Sequence, residues 1–456
     1  MTEILNLNNV NKIITNRFPT INNNFILETS IEDSYYDKFF PINSYKSDNF
    51  IEFRIPKSVG IFTDLSELNL KFTINFFKRD TDVNRWSDVK KLTTGDHVDL
   101  VNISSYTIFK HCSLKLNQLQ CENIDNYALN SYIKTITNFN RLDIETYGHF
   151  LHVENYEKII ETLEDDTYFT NLDANSRIAQ RLFRLRDKGI TIRAPLLFDI
   201  VKTNKFLIDG VDLSINLALH DLPFIFFTNQ YASVPTSTKK QFGFTLSDIS
   251  LEVKRLKPSI NAYNALIKAL LPKSPNNIPN IDYPFISQLS KTYHIPSNIT
   301  QFVIDLPFQS KIPDKIFICF QTHSAFNTRS YNKNGLYLSH LNLKNTFITI
   351  NSKTIYNINS DFENLDVLDL YNCTLKCLPS SHLITFNNFC QGMTLLGFPL
   401  TYTDETANIN APLHGVLRIV FSFKTELSEA AIIYMLGDVL SVLSINMNRE
   451  VFLNRA

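Results

Sequence analysis

Glycine is scarce in this chain, at 11 residues of 456. Phosphate cradles depend on backbone N–H groups that a ligand approaches closely only where side chains are missing. Accordingly there is no glycine-rich phosphate loop followed by lysine, no dinucleotide fingerprint, no Gly-x-Ser-x-Gly elbow and no His-Glu-x-x-His helix. A basic excess is also missing: 44 Lys and Arg stand against 45 Asp and Glu, for a formal net charge of −1. Proteins that grip nucleic acid over a broad surface carry a basic excess or stripe, so no strong direct nucleic-acid binding is expected. The six cysteines, Cys112, Cys121, Cys319, Cys373, Cys377 and Cys390, are too sparse for a disulfide-dense secreted framework. Residues 1–12 lack the basic start and apolar core of a signal peptide. The most apolar late stretch, 430–445, is too short for a membrane-spanning helix and contains Asp438. These absences predict synthesis in the cytosol and no membrane span.

What is present is apolar side chain in regular patterns. Hydrophobic residues make up 44% and charged residues 20%, the profile of a soluble globular protein, and 456 residues give room for two or three domains. Residues 1–46 are Asn-rich and aperiodic and read as an N-terminal arm. Alternation then begins. Ile51, Phe53 and Ile55 alternate with polar residues, as do Leu68, Leu70, Phe72, Ile74 and Phe76. Side chains on a strand point to opposite faces at period two, so each segment has one buried face. The pattern returns at Cys112, Leu114 and Leu116, at Val211 through Leu219, and at Ile249, Leu251 and Val253. Phe302, Ile304 and Leu306 continue it, followed by Ile316, Ile318 and Phe320, and by Leu417, Ile419, Phe421 and Phe423. One-sided strands belong to antiparallel sheets, so the fold class is mainly β.

Helical spacing is confined to a few segments. Leu129, Ile133 and Ile136 follow Asp125 and Asn126, which are candidate caps. Tyr156, Ile159, Ile160 and Leu163 form a second helix candidate, and Ile178, Leu182 and Leu185 a third. A fourth runs from Ser259 through Ala262, Leu266 and Ala269 to Pro272. The stretch 272–279 then holds three prolines, which suit neither a helix nor a central strand. The predicted domains are therefore an arm (1–46), a first β unit with helical insertions (47–258), a helix and Pro-rich linker (259–280) and a second β unit (281–456). Each β unit is large enough for an eight-stranded sandwich. No repeat in the primary sequence relates them.

Candidate chemistry is thin. Cys373 and Cys377, followed by His382 and Cys390, have donors for tetrahedral zinc, but the three-residue gap is not the usual tight knuckle, and buried thiols are favoured. His111 beside Cys112 suggests a nucleophile and base. Neighbours on a strand face opposite ways, which favours packing. The acidic run 161–166 reads as a solvated helix end before a divalent-cation site. Arg177, Arg181, Arg184, Arg186 and Lys188 could face nucleic acid, but complementing a helix C-terminus is the preferred reading. No catalytic, cofactor-binding or metal set is predicted, and no cofactor. Asn102 and Asn298 match a glycosylation pattern and are expected to stay unmodified without a secretory signal.

Five stretches, taken in order, resemble a known family. They are 95–103 leading into 108–117 with its Asn turn, 206–216 with Asp209-Gly-Val-Asp-Leu213, 249–259, 306–317 followed by Ala325-Phe-Asn327, and 415–423 followed by an apolar strand near Ile432. Their order is similar to that in the double-jelly-roll major capsid proteins of Polinton (Maverick) elements and adintoviruses, in the adenovirus-like capsid lineage. The similarity runs from about residue 48 to the end. The chain departs from the family at Asn334–Tyr337, where Asn-Pro-Phe is common, and at Asn351-Ser-Lys, where a glycine turn is common. The resemblance implies two tandem eight-stranded antiparallel jelly rolls and a homotrimer forming a pseudo-hexagonal capsomer. It further implies an icosahedral virion shell around a DNA genome, neighbouring capsomers and a minor capsid or penton protein as partners, and no enzymatic activity. The loops 79–99, 221–243, 324–335 and 401–412 are then expected to carry trimer contacts and the outer surface. The competing readings are a receptor- or carbohydrate-binding spike and a hydrolase on a β-sandwich. No fibrous repeat supports the first, and no acid/base set supports the second.

Overall fold

The computed structural model describes residues 30–43, 50–79, 91–92, 98–139, 161–162, 189–203, 205–228, 241–272, 279–327, 331–401 and 413–455. In the first half the strands are β1 (Ile31–Phe39), β2 (Phe50–Ile55), β3 (Phe62–Arg79), β4 (Asp99–Leu100), β5 (Phe109–Leu116), β6 (Leu119–Ile124), β7 (Ile190–Pro195), β8 (Leu213–Leu219), β9 (Phe226–Phe227) and β10 (Gln241–Pro258). The second half has β11 (Ile281–Ile295), β12 (Gln301–Asp305), β13 (Lys311–Ile312), β14 (Lys315–Thr322), β15 (Leu343–Ile350), β16 (Lys353–Asn359), β17 (Leu395–Pro399), β18 (Leu413–His414), β19 (Leu417–Phe423), β20 (Ala431–Ile445) and β21 (Val451–Arg455). Helices are α1 (Ser104–Thr107), α2 (Tyr127–Asn138), α3 (Leu222–Ile225), α4 (Ile260–Leu270), α5 (His323–Phe326), α6 (Leu368–Cys377) and α7 (Phe386–Cys390).

The sheets repeat. The first half pairs β1-β10-β3-β7 in one sheet and β2-β8-β5-β6 in the other, while the second pairs β11-β20-β14-β17 and β12-β19-β15-β16. With the short strands β4, β9, β13, β18 and β21 left out of the count, each sheet has the connectivity of its counterpart, and the strands pair antiparallel. Each half is a jelly roll, and the two together are the double jelly roll expected from the sequence. β21 adds to β20 at the end of the chain.

The turns repeat as well. Asn117 and Gln118 join β5 to β6 with φ of 49° and 76°, and Asn351 and Ser352 join β15 to β16 with φ of 49° and 67°. Two-residue hairpins need positive φ at both central positions to match strand twist, and asparagine tolerates it. Each asparagine also holds the residue just before the next strand of its sheet. Asn117 Oδ1 accepts from Asp212 N at 2.7 Å, and Asn351 Oδ1 accepts from Val416 N at 2.8 Å.

Alternation places the core as predicted in β2, β3 and β5, where Ile51, Phe53, Leu70, Phe72, Cys112 and Leu114 are buried. Inner faces meet edge to face, with Phe320 of β14 5.1 Å from Phe421 of β19 at 85°. Two strands depart from the one-sided pattern. β14 is buried continuously from Ile316 to Gln321, and β20 from Ala431 to Val439. Sheets buried on both faces read as unbroken apolar runs.

Several expectations need correction. Residues 31–39, assigned to the arm, form the first strand of the first roll, an edge strand paired with β10. Most of its side chains are exposed on both faces, so no alternation marks it. Ladder bonds and ion pairs such as Lys38–Glu252 at 3.6 Å hold it instead. Leu306 lies beyond β12 at φ 51° and is exposed. Asn126 occupies the N-cap of α2 but makes no capping hydrogen bond, whereas Ser259 caps α4 through Ala262 N at 3.4 Å. The helix candidates at 156–163 and 178–185 lie outside the described residues apart from 161–162. Helices α6 and α7 were not predicted. α6 turns Leu370, Thr374 and Cys377 inward, and two of those three residues are not ordinary apolar markers. Its close seat on β17 requires Gly397, where an added Cβ would lie 3.1 Å from the Cys377 Cβ.

Phe320→Ala should cost about 3–5 kcal/mol, the range for emptying a buried aromatic site. Val59→Ser, at a position 87% exposed, should change stability by less than about 0.5 kcal/mol. Denaturant unfolding of the two variants beside the parent protein checks both, and equal shifts would contradict the assigned core.

Candidate assembly surfaces and the seam between the rolls

A rigid two-roll body needs contacts that stop the rolls from turning about the linker. Helix α2 supplies part of the apolar contact. Every residue from Tyr127 to Thr137 is buried, and Tyr132 lies near Cys319 of β14. Its C-terminal end meets the second roll directly, as Leu383 N donates to Ile136 O at 2.9 Å. This helix helps cover the sheet that contains β14 and β20, consistent with their unbroken burial.

Polar contacts set the orientation. Asp209, in a first-roll turn, is 4% exposed. Its Oδ2 accepts from Gly60 N at 2.9 Å and from the Tyr263 hydroxyl of α4 at 2.8 Å. Its Oδ1 accepts from Arg449 Nη2 at 2.7 Å, in the turn between β20 and β21. Arg449 O accepts from Asn117 Nδ2 at 2.7 Å. One buried carboxylate thus joins the first roll, the linker helix and the last turn of the second roll.

A second network crosses the seam farther along. Glu122 of β6 accepts from Asp199 N at 2.8 Å and Ile200 N at 2.7 Å. Asp199 pairs with Lys134 of α2 at 2.8 Å, and both side chains are about 95% buried. Asp199 Oδ2 accepts from Gln288 N of β11 at 2.8 Å. Gln288 Nε2 donates to Asp438 Oδ1 at 2.9 Å, and Asp438 pairs with Lys315 at 3.5 Å. Burial, followed by the nearby Asp199 charge, pushes the Glu122 carboxyl up to about 7, against the opposing pull of Lys134 and the two N–H bonds.

The predicted chemical candidates separate in space. Cys373 and Cys377 lie on α6 and Cys390 on α7. Among the described residues no three or more His, Cys, Asp or Glu side chains gather as a metal group. All six cysteines are free, and burial pushes Cys377 up to about 12. Burial lowers His382. Cys112 is fully buried, whereas His111 is partly exposed and its Nδ1 lies 3.3 Å from Asp125, so the two face different surroundings. Arg177, Arg181, Arg184, Arg186 and Lys188 lie outside the described residues, as does the acidic run beyond residue 162.

The four expected contact loops are more ordered than a surface reading implied, where they are described. Within 221–243, Leu222–Phe227 forms α3 and β9, with Phe224, Ile225 and Phe226 buried. The run Leu-Pro-Phe-Ile-Phe-Phe is too apolar to stay in water. Within 324–335, α5 begins one residue earlier and Leu336 follows buried. Most of 79–99 and 402–412 lies outside the described residues. Among the described residues, exposed apolar side chains also lie near the first sheet's edge, with Tyr36 51%, Phe40 67% and Ile42 60% exposed. Others lie beside β12, β18 and β19 at Val303, Leu306, Leu413 and Val416.

No family model matches the chain, and no curated protein matches it significantly. Solved structures do. The chain is similar to a chain of the Sputnik virophage structure determined by cryo-electron microscopy, at TM-score 0.59 and 12% identity over 95% of this chain and 90% of that one. It is similar to the mavirus major capsid protein at TM-score 0.51 and 9% identity, over 94% and 91% of the two chains. The crystal structure of PBCV-1 VP54, fitted into a reconstruction of Sputnik, matches at TM-score 0.50 and 10% identity over 96% of this chain and all of that one. At these identities the likeness is one of fold.

The seam yields a pH prediction. Because folding raises the Glu122 pKa, its contribution is fully present below the ordinary carboxylate range near 4.5 and is lost as pH rises through about 7. The parent protein should therefore lose stability relative to Glu122→Gln as pH goes from 5 to 8, whatever the constant cost of the substitution. Thermal unfolding at stepped pH measures this, and a pH-independent difference between the two proteins would refute it. The thiols give another prediction. Cys373, only half buried, should be alkylated first in the native protein, while Cys112 and Cys319 should react only after unfolding. Peptide mapping after a timed pulse of iodoacetamide reads the order.

Proposed function

We propose that this chain is a major capsid protein, a structural subunit and not an enzyme, which trimerises into pseudo-hexagonal capsomers of an icosahedral shell around a DNA genome. The supporting observation is the double jelly roll itself, similar across 94% of this chain to the mavirus major capsid protein and across 95% to a chain of the Sputnik virophage. Two rolls of like connectivity standing in one rigid body give three copies six similar walls, and six-walled units tile a surface. The fixed seam suits that role, because rolls free to turn would spoil the angle between neighbouring units.

In this reading the first roll comprises residues 31–258, the linker 259–280 and the second roll 281–456. The exposed apolar residues near β1 and beside β12 are surfaces for neighbouring copies, and a minor capsid or penton protein closes the vertices. The balanced charge leaves the genome weakly held by this subunit. The order of motifs in the sequence supports a place in the Polinton and adintovirus branch, and in this reading the chain belongs to the virion after synthesis in the host cytosol.

Negative-stain microscopy and light scattering of the purified chain test the proposal. Trimers with a hexagonal outline, or closed shells, are the expected result. Monomers at assembly concentration that bind glycans would overturn it in favour of a receptor-binding module.

A further inference from the structure

Helix α2 lies between β6 and β7, and α6 lies between their counterparts β16 and β17. Each helix bonds to the strand that follows it, or to the residues just after that strand. Leu197 N donates to the Tyr127 hydroxyl at 3.3 Å, and Gly397 N donates to Thr374 Oγ1 at 3.0 Å. The far side of α2 meets the outer face of the second roll's sheet β11-β20-β14-β17. There Asn126 Nδ2 donates to Thr292 Oγ1 of β11 at 3.5 Å, and Tyr132 lies near Cys319 of β14. We propose that α6 repeats this contact between copies, laying its free side on the outer face of sheet β1-β10-β3-β7 in a second copy of this chain. This contact rests on the shell reading and would close its ring.

The free side of α6 is apolar and acidic. Leu365 and Leu368, just before and at the start of the helix, are 55% and 58% exposed. Asp366 and Asp369 are exposed beside them. Asp361 and Glu363 share one cation, Lys424, so the excess charge at this end is negative. Lys376 stands in the last turn, at the other end of the helix.

The receiving sheet is complementary. Leu70, Phe72, Ile192 and Val253 are buried in the core, so alternation turns Lys71, Arg193 and Lys254 outward. Register places Tyr36 opposite Lys254 and Lys38 opposite Glu252 on the same outer face. The cations there stand clear of the anions. The Lys38 and Arg193 side chains are 56% and 47% exposed, against 11% for the Glu252 that both approach. Lys254 is 26% exposed, and Asp64, 4.0 Å away, is 6% exposed. A partner meets positive charge, with the half-exposed Tyr36 ring as an apolar seat for a leucine. Within the chain the first roll packs its helix on the second roll. The contact proposed here packs the second roll's helix on the next copy's first roll, and such a head-to-tail contact repeats until the ring closes.

Sedimentation velocity of the purified chain over a concentration series tests this. Asp366→Lys with Asp369→Lys, and separately Lys38→Glu with Lys71→Glu, should each weaken self-association at least about tenfold. All four substitutions in one chain should restore it, because every contact then regains opposite charges. Carbodiimide cross-linking of mixed isotope-labelled and unlabelled chains should join Asp366 or Asp369 of one copy to Lys38, Lys71 or Lys254 of another. Thermal unfolding checks that each variant folds, and where one does not, Leu368→Ser must still weaken association. A parent chain that stays monomeric would sink the shell reading along with this contact. Parent trimers that the reversals leave intact, no recovery in the fourfold variant, or cross-links between copies only at other sites would overturn this contact alone.

Discussion

A jelly-roll sheet commonly leaves one face to water, but β14 and β20 in the second roll leave neither of theirs. Their inner side chains meet β19, while α2 packs against the second roll from the first. Apolar burial at about 25 cal/mol per Å² is strong but has no direction, so it brings the rolls together without choosing their angle. The angle comes from the polar groups trapped in the same seam. Asp209 cannot give up Arg449, nor Asp199 its Lys134, without leaving a charge buried and unpaired, which costs several kcal/mol.

The two rolls show how little sequence a shared architecture requires. No repeat links the halves, yet their sheets have the same strand order, and the same kind of asparagine turn stands after β5 in the first and β15 in the second. The turn persists because its requirements are strict. Positive φ, a side-chain carbonyl and a two-residue length together leave few residue types besides asparagine. Strand interiors are looser, since any apolar residue of suitable size at period two suffices, and β8 and β19 hold the same place in their sheets with little in common beyond that.

The same contrast explains what could be read without coordinates. β2, β3, β5 and β19 bury one face, so their alternation was plain. The continuous run at Ile316–Phe320 was visible too, but it was read as alternation, although burial on two faces is what such a run means. β1 was lost in the expected arm because an exposed edge strand is held by main-chain bonds, which leave no pattern in side chains. α6 was missed because Thr374 fills a core position while bonding Gly397 N at 3.0 Å. The seam ions had no local signal at all. Glu122, Lys134, Asp199 and Gln288 are scattered through the chain and look like ordinary surface residues until the fold brings them together.

That scatter bears on what the seam does. A buried ionic network is rarely the most stabilising way to fill a space, and an apolar one would usually serve stability as well. What the network adds is discrimination between arrangements. A roll shifted by one strand register would put Gln288 N away from Asp199 and leave both groups buried without that bond, so misdocked forms are penalised more than an all-apolar seam would penalise them. A subunit whose proposed work is to present six matched walls needs one relative orientation more than it needs extra stability. The buried carboxylates at positions 199 and 209 impose that choice.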